Sequence, residues 1–310
     1  DERIELRRLL GTEEAWSQAR RTTLNAHYTS ADVAQAMWGA VSALGVDGDV
    51  SVLEPGCGSG NFLGFAPEGI RLTGVELDRT TGEIARHLYG ARATIHASGF
   101  EELRVEDGAF DLTIGNVPFG NYGVHDPQVK PASLKAAIHD YYFARSLALV
   151  RPGGVIAFIT SRFTLDKANP RVRRYLAEHA ELLAAARLPA SAFHKQAGTE
   201  VVADVVMLRK RPQPVEIGGA ELHWVELGEI TLENPSGAPV TEKINGLFAD
   251  RPQLMLGVPC VAHGMHRNDE FTLRGDGRDL ATALREALIA QLPAQALTNS
   301  AIAQPVFVLE

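Results

Sequence analysis

The residues best placed to do chemistry are Asn116-Val117-Pro118-Phe119, with Gly115 in front and Gly120 behind. An amide, a main-chain carbonyl, a rigid proline and an aromatic ring stand together where the apolar run from Asp111 gives out. In an open α/β sheet ligands bind at the carboxyl ends of the strands, so such a segment can line a site. Taken alone it reads equally well as a strand followed by a proline turn, and the upstream residues decide the matter. Glu54-Pro55-Gly56-Cys57-Gly58-Ser59-Gly60-Asn61-Phe62 follows the short apolar run Val50–Leu53. Its alternating glycines permit a tight turn and close approach of backbone to a ligand. The spacing is G-x-G-x-G, not the dinucleotide fingerprint. Glu54 at the strand end would repel a pyrophosphate but suit a ligand carrying an ammonium group. Glu76, in Glu76-Leu77-Asp78, lies about 20 positions beyond the glycine turn, where an acid can accept hydrogen bonds from ribose hydroxyls.

Strands and helices alternate around these residues. Strands are predicted near 50–53, 71–78, 93–96, 111–116, 155–160, 182–187 and 201–208. Helices are predicted at 32–44, capped by Thr29 or Ser30, at 81–88 and at 134–150, where Arg151-Pro152-Gly153-Gly154 stops the last. The pattern is α/β: a doubly wound, seven-stranded Rossmann-like sheet that binds a nucleoside. Residues 1–48 read as an N-terminal helical segment that packs on the core, with an amphipathic stretch over 2–24. Residues 49–212 form the sheet domain, and Arg209–Pro214 reads as its edge. Residues 213–310 form a small accessory α+β extension, with a strand at 222–227, a turn at 234–237 and a helix at 279–290. Residues 120–133 read as a mobile loop.

With 310 residues the chain can bury a full core. The sequence shows no signal peptide, no membrane span and no disulfide or metal spacing, so a reducing cytoplasm is the expected compartment. The absence of an initiator Met suggests a fragment. A net charge of −8 argues against a stand-alone duplex binder, since phosphate contacts call for a basic surface. The local exception is Arg162, Lys167, Arg171, Arg173 and Arg174, just past a predicted strand end. Phe193, between two predicted strands, is expected to be an exposed aromatic. Cys260, His263 and His266 are too sparse for a metal site.

The order Tyr28-Thr29, Glu54-Pro55-x-x-Gly58-x-Gly60, Glu76-Leu77-Asp78, Asn116-Val117-Pro118-Phe119 resembles the adenine-N6 DNA methyltransferases that use S-adenosylmethionine. The order of motifs is gamma-class-like. The longer pattern, with Gly115–Gly120 and Ala197-Gly198-Thr199, resembles the methylase modules of large methylase–helicase proteins. The resemblance covers residues 1–212. It implies that His27, Tyr28, Thr29, Glu54, Pro55, Gly56, Cys57, Gly58, Gly60, Asn61, Phe62, Glu76, Leu77, Phe100 and Asn116 hold the cofactor. It also implies that Asn116, Val117, Pro118 and Phe119 act on an adenine flipped out of duplex DNA, with Phe119, Phe193, Arg162 and Lys167 contacting the substrate. The Asn116 amide carbonyl and the main-chain carbonyl of residue 117 would accept from the adenine amino group, and Phe119 would stack on the base. A fused or associated helicase, and a target-recognition segment outside this chain, are the implied partners. The related alternatives are methylation of RNA adenine or protein glutamine, or a non-catalytic module that holds cofactor or DNA.

Two positions depart from that pattern. Val117 stands where proline is usual, which predicts a less rigid backbone with its carbonyl retained. Gly99 stands where many relatives place an Asp that holds the cofactor's adenine amino group, which predicts that this contact is weakened or moved, with the backbone beside Phe100 left to hold the ring.

Overall fold

The computed structural model describes residues 2–13, 16, 29–45, 49–193, 201–263 and 269–293. From the N-terminus come α1 (Glu2–Leu10), α2 (Ala31–Ser42), β1 (Ser51–Pro55), α3 (Asn61–Phe65), β2 (Arg71–Val75), α4 (Arg79–Tyr89) and β3 (Ala93–His96). Then follow β4 (Phe110–Asn116), α5 (Ile138–Leu149), β5 (Val150–Ser161), α6 (Phe163–Asp166), α7 (Arg171–His179), β6 (Ala180–Leu188) and β7 (Ala203–Lys210). The remainder comprises α8 (Leu222–Val225), β8 (Leu227–Glu233), β9 (Pro239–Asn245), α9 (Gly246–Asp250), β10 (Val258–His263), β11 (Asp269–Arg274) and α10 (Leu280–Ile289).

The central sheet has the seven strands that the apolar runs predicted, and their order is β3-β2-β1-β4-β5-β7-β6. β2, β1, β4 and β5 pair in parallel with their neighbours, and β7 runs antiparallel to β5 and β6. The chain order reverses between β1 and β4, and the crevice outside their carboxyl ends is where such a sheet takes its ligand. Alternation along the strands feeds two cores: Val52, Leu112 and Ile159 face one side, and Leu53, Phe110 and Phe158 the other. Buried Asp111 pins the start of β4, accepting from the Ser51 N–H at 2.9 Å and from Arg151 Nε at 2.7 Å.

Local chemistry sets the helix starts. The Ser30 hydroxyl accepts from the Val33 N–H at the head of α2, and the Asp78 carboxylate from the Thr81 N–H at the head of α4. Trp38 on α2 donates its indole N–H to the Phe62 carbonyl at 2.9 Å and so holds α3 and the glycine turn before it.

Residues beyond 212 share these cores. Trp224, Val225, Ile244, Phe248 and Phe271 join the face of Phe110, while Leu284 and Leu288 join that of Met37 on α2. A buried ion-pair network adds to the attachment. Arg187 on β6 donates to Asp204 at 2.7 and 2.9 Å and to Asp166 at 2.8 Å, and stacks on Phe248 with 4.3 Å to the ring centroid. Asp166 also accepts from the Asn245 N–H at 2.9 Å.

Three expectations change. The predicted strand at 222–227 is instead the helix α8, with β8 beginning only at Leu227; Trp224 and Val225 are buried, at 1% and 0% exposure, and their packing into the core overrides the strand preference of the run. The segment 120–133 is strapped down: fully buried Asp126 accepts from Tyr141 Oη at 2.8 Å and lies 3.8 Å from Arg145 Nε. Phe193 is not exposed; it is 1% accessible.

Candidate active site

The glycine turn, the end of β2 and the end of β4 enclose one cavity of about 510 Å³, within the range of small-molecule sites. Gly56, Gly58 and Gly60 take φ of 70°, 54° and 92°, left-handed values that a side chain would strain. A Cβ on Gly56 would come to 3.6 Å from the Tyr142 hydroxyl and 3.7 Å from Pro118 Cδ, across the space a ligand needs.

Two carboxylates shape the turn. Glu54 accepts from the Leu63 N–H at 3.0 Å, at the first turn of α3. Glu76 accepts from the Gly58 N–H at 2.8 Å and the Asp78 N–H at 2.9 Å, so it ties the turn to the end of β2. Burial pushes the Glu54 carboxyl well above the usual range; the Glu76 charge adds to this, and the amide donors oppose it. Burial likewise raises Glu76, against its own amide donors. A cationic ligand entering here would relieve both. The Cys57 thiol, buried beside the two acids, is pushed far up and stays protonated.

Asn116 and Pro118 line the same cavity from the end of β4. Val117 is 1% exposed, and its N–H donates to the Ile159 carbonyl at 3.0 Å. That rung is one a proline could not make. It fixes the backbone at 117 to β5, so the looseness predicted for a valine here is offset. Phe119 stands beside the cavity with Phe193 edge-on to it, at 6.4 Å and 88° between the rings. Phe193 is thus a buttress for Phe119, not a surface aromatic.

Of the residues predicted to hold a cofactor, Thr29, Glu54, Gly56, Cys57, Gly58, Asn61, Phe62, Glu76, Leu77, Phe100 and Asn116 line the cavity. Pro55 ends β1, and Gly60 caps α3 behind them. His27 and Tyr28 lie outside the described residues, as do Ala197, Gly198 and Thr199. Arg162 and Lys167 are not brought to the cavity. Arg162 lies 3.4 Å from Asp166 and stacks on Phe163 and Phe271, while Lys167 pairs with buried Asp140 at 2.6 Å. Arg173 is internal, donating to the Val225 and Lys167 carbonyls at 2.6 Å. The basic run therefore spends much of its charge inside the protein.

The opposite wall carries no motif that could have been read in advance. Glu101, Tyr122, Val124, Ile138, Tyr141 and Tyr142 line it. Burial raises the Tyr141 and Tyr142 phenols well above their ordinary range, so both stay neutral. A doublet of tyrosines at a helix start carries no spacing signal, and Glu101 reads as an ordinary turn acid.

The donor set suits S-adenosylmethionine. Glu76 offers acceptors for ribose hydroxyls, and two buried acids offer negative charge to a sulfonium and an ammonium. Leu77, 70% exposed on the cavity wall, offers an apolar surface for a ring to cover.

Comparisons with known proteins agree with this geometry. Residues 53–127 match the family profile described as a methyltransferase domain. Defense against restriction protein B of Escherichia phage P1 is 32% identical over 193 residues, which cover 61% of this chain and 8% of that protein. The chain therefore spans a small fraction of that relative's length. The type I restriction-modification methyltransferase subunit of Streptococcus thermophilus superposes with a TM-score of 0.51 at 21% identity, covering 59% of this chain and 44% of that one. A modification subunit assigned to a type I restriction enzyme of Vibrio vulnificus gives a TM-score of 0.50 at 14% identity over 89% of this chain and 65% of its own. These two likenesses establish the fold. Among the described residues no group of acids, histidines and cysteines could hold a metal, and no helix is long and apolar enough to cross a membrane. Glu54, Glu76 and Asn116, which line the cavity at the reversal of the sheet, fall within the span matched by the methyltransferase-domain profile, and their chemistry fits S-adenosylmethionine.

Proposed function

We propose that this chain methylates the N6 amino group of adenine in DNA, taking the base out of the duplex, as one module of a longer cytoplasmic protein. The observation that carries the reading is the placement of Asn116-Val117-Pro118-Phe119. Asn116, Val117 and Pro118 line the cavity, the Val117 N–H is held by the Ile159 carbonyl, and the next residue, Phe119, has its ring buttressed by Phe193.

The bound cofactor supplies an electrophilic methyl group on a sulfonium. The chain's own residues must make a poor nucleophile attack it, since the N6 lone pair of adenine is delocalised into the ring. The Asn116 side-chain carbonyl and the Val117 main-chain carbonyl accept from the two N6–H bonds and favour a tetrahedral nitrogen. Phe119 stacks on the extruded base, worth about 1–3 kcal/mol, which offsets much of the few kcal/mol spent on flipping it. The catalytic contribution is therefore positioning and electrostatics.

The relative's name, Defense against restriction, and the likeness to restriction-modification subunits support DNA as substrate and a multi-part assembly. With a net charge of −8 on this chain, a target-recognition segment and a helicase elsewhere in that assembly would supply sequence readout and basic surface. The test is mass spectrometry of nucleosides after incubating mixed-sequence DNA with protein and labelled cofactor. N6-methyladenine that disappears in Asn116→Ala supports the reading. Label appearing only in parallel RNA or glutamine-peptide arms would replace it with those substrates. Absence of label from every arm would favour a binding module.

A further inference from the structure

The carboxyl edge of the sheet carries more than the cavity. β5 lies parallel to β4 with Ile159 opposite Asn116, so the chain that leaves β5 at Ser161 emerges beside Asn116-Val117-Pro118-Phe119. Phe163 stands on that exit and is 51% exposed. Among the described residues, Phe163 and Tyr122 are the only exposed phenylalanine, tyrosine or tryptophan side chains, and Tyr122 lines the cavity. The Arg162 guanidinium lies over the Phe163 ring, 4.6 Å from its centroid, and 5.4 Å from that of Phe271. The ring is thus held from beneath and left half in solvent.

A basic cleft lies on the same edge. β5 and β6 both run antiparallel to β7, so α7 leads back from the carboxyl edge to the amino edge and begins, at Arg171, on the carboxyl side. α5 makes the same return between β4 and β5, which puts Pro131–Leu134, just before it, on that side too. Between these two starts is a cleft of about 400 Å³, lined by Ser133, Asn169, Arg171, Arg174 and Tyr175, with Glu178 as its one acid. No acidic side chain among the described residues pairs with Arg171 or with exposed Lys130 beside the cleft. Arg174 meets Glu226 at 2.8 Å, but both are half-exposed, and such a pair is easily given up to another anion. Arg162, Lys167 and Arg173 spend their charge on internal partners; Arg171 and Arg174 do not.

We propose that Phe163 and the Arg171–Arg174 cleft form the surface that holds the DNA strand flanking the target adenine, with a base stacked on Phe163 and a phosphate in the cleft. The proposal rests on DNA as the substrate. An aromatic ring beside a cationic groove is how proteins hold a nucleic-acid strand whatever its sequence. A guanidinium presents paired N–H donors that match the oxygens of a phosphate. The surface also shows how a chain of net charge −8 can meet a polyanion: the attraction is local.

The experiment is fluorescence anisotropy of a labelled mixed-sequence DNA duplex titrated with the whole chain over a range of salt, with RNA of the same sequence in parallel. Wild type should bind the DNA, more weakly as salt rises. Arg171→Gln combined with Arg174→Gln should lower the slope of log affinity against log salt by about 0.9, the value for one phosphate of duplex DNA. Phe163→Ala should leave the slope alone and weaken binding by about fivefold to a hundredfold, the range of base stacking. Arg92→Gln removes a charge at the start of β3, on the opposite edge of the sheet, and should leave the slope unchanged. Calorimetric affinity for S-adenosylhomocysteine should be the same in every variant, which a general loss of folding would not give. A double variant whose slope equals that of Arg92→Gln, or a Phe163→Ala protein that binds as tightly as wild type, would overturn the surface and leave the DNA reading standing. Wild type that binds no DNA at low salt, or binds only the RNA, would overturn the DNA reading and the surface with it.

Discussion

Replacing Val117 by proline separates two ways of holding the backbone at the proposed adenine site. The substitution removes the N–H that donates to the Ile159 carbonyl at 3.0 Å. A buried acceptor left without its donor costs about 1–3 kcal/mol. Proline returns some of this by restricting the unfolded chain, about 0.4–1 kcal/mol where the native φ is compatible. Asn116 ends a strand and already has the extended backbone that a following proline favours. The net expectation for Val117→Pro is a loss centred on about 1.3 kcal/mol and no larger than about 2.6 kcal/mol, at about 2–4 °C per kcal/mol for a domain of this general size. Val117→Ala serves as the companion. It keeps the N–H rung but removes two methyl groups from a side chain 1% exposed, costing about 1.6 kcal/mol or more at ~0.8 kcal/mol per buried carbon. The assays are denaturant midpoints and methyl transfer to an adenine oligonucleotide at saturating cofactor. The expected pattern is a split: Val117→Ala loses stability but keeps kcat, while Val117→Pro loses both. A Val117→Pro protein as stable as wild type and faster in turnover would refute the argument, for then the fixed φ of proline would outweigh the rung.

Phe193→Leu should keep the fold and raise KM for the oligonucleotide severalfold without changing cofactor affinity, since an edge-on aromatic pair is worth about 0.5–1.5 kcal/mol beyond its buried area; separate titrations of the two ligands check this. Arg187→Met should cost about 3–5 kcal/mol, because it strands Asp204 and Asp166 as buried charges, and limited proteolysis should show 213–293 cut before the sheet. Glu54 and Glu76 give a pH dependence of unusual sign. Their folded pKa values are raised, so their stabilising contribution is full below the ordinary carboxyl pKa and is lost as pH rises through the folded values. The melting temperature of Glu54→Gln should therefore gain on that of wild type as pH rises from about 4.5 toward neutrality, and a difference that shrinks would contradict the burial argument. Binding of S-adenosylmethionine, which is cationic, should strengthen over the same interval, and a flat calorimetric profile would count against those carboxylates facing it.

The strands that build the proposed cofactor cavity were readable because each is a short apolar run closed by a polar residue that lines it: Val50–Leu53 by Glu54, Arg71–Val75 by Glu76, Asp111–Gly115 by Asn116. In a parallel sheet buried on both faces, local pattern and tertiary role coincide. The far wall was not readable. Tyr142 lines the cavity because α5 packs against β5, and Asp126 straps its loop only because Tyr141 and Arg145 sit across from it, both relations of three dimensions. Phe193 was expected in solvent because it follows a strand end in a loop, but it ends a short helical turn, Ala190–Phe193, that buries its ring edge-on to Phe119. The run Leu222–Leu227 has the residue types of a strand, and packing of Trp224 and Val225 on the sheet overrode that preference. The cations past β5 were legible as charge and illegible as ion pairs, since their acidic partners Asp140 and Glu226 are far away in sequence.

One packing contact bears on how the two ends of the described chain are held. α2 and α10 lie side by side on one face of the sheet, with the Arg285 side chain running over Gly39 so closely that a Cβ there would meet its Nε at 3.0 Å. The first helix of the sheet domain and the last described helix of the chain are therefore neighbours, although most of the fold separates them in sequence. A segment from near the start and one from near the end of the described chain thus brace each other, so neither helix is held by the sheet alone. Gly39→Val would wedge the two helices apart, and loss of docking by α10 with the central cavity intact would show that this contact is separable from the rest of the fold.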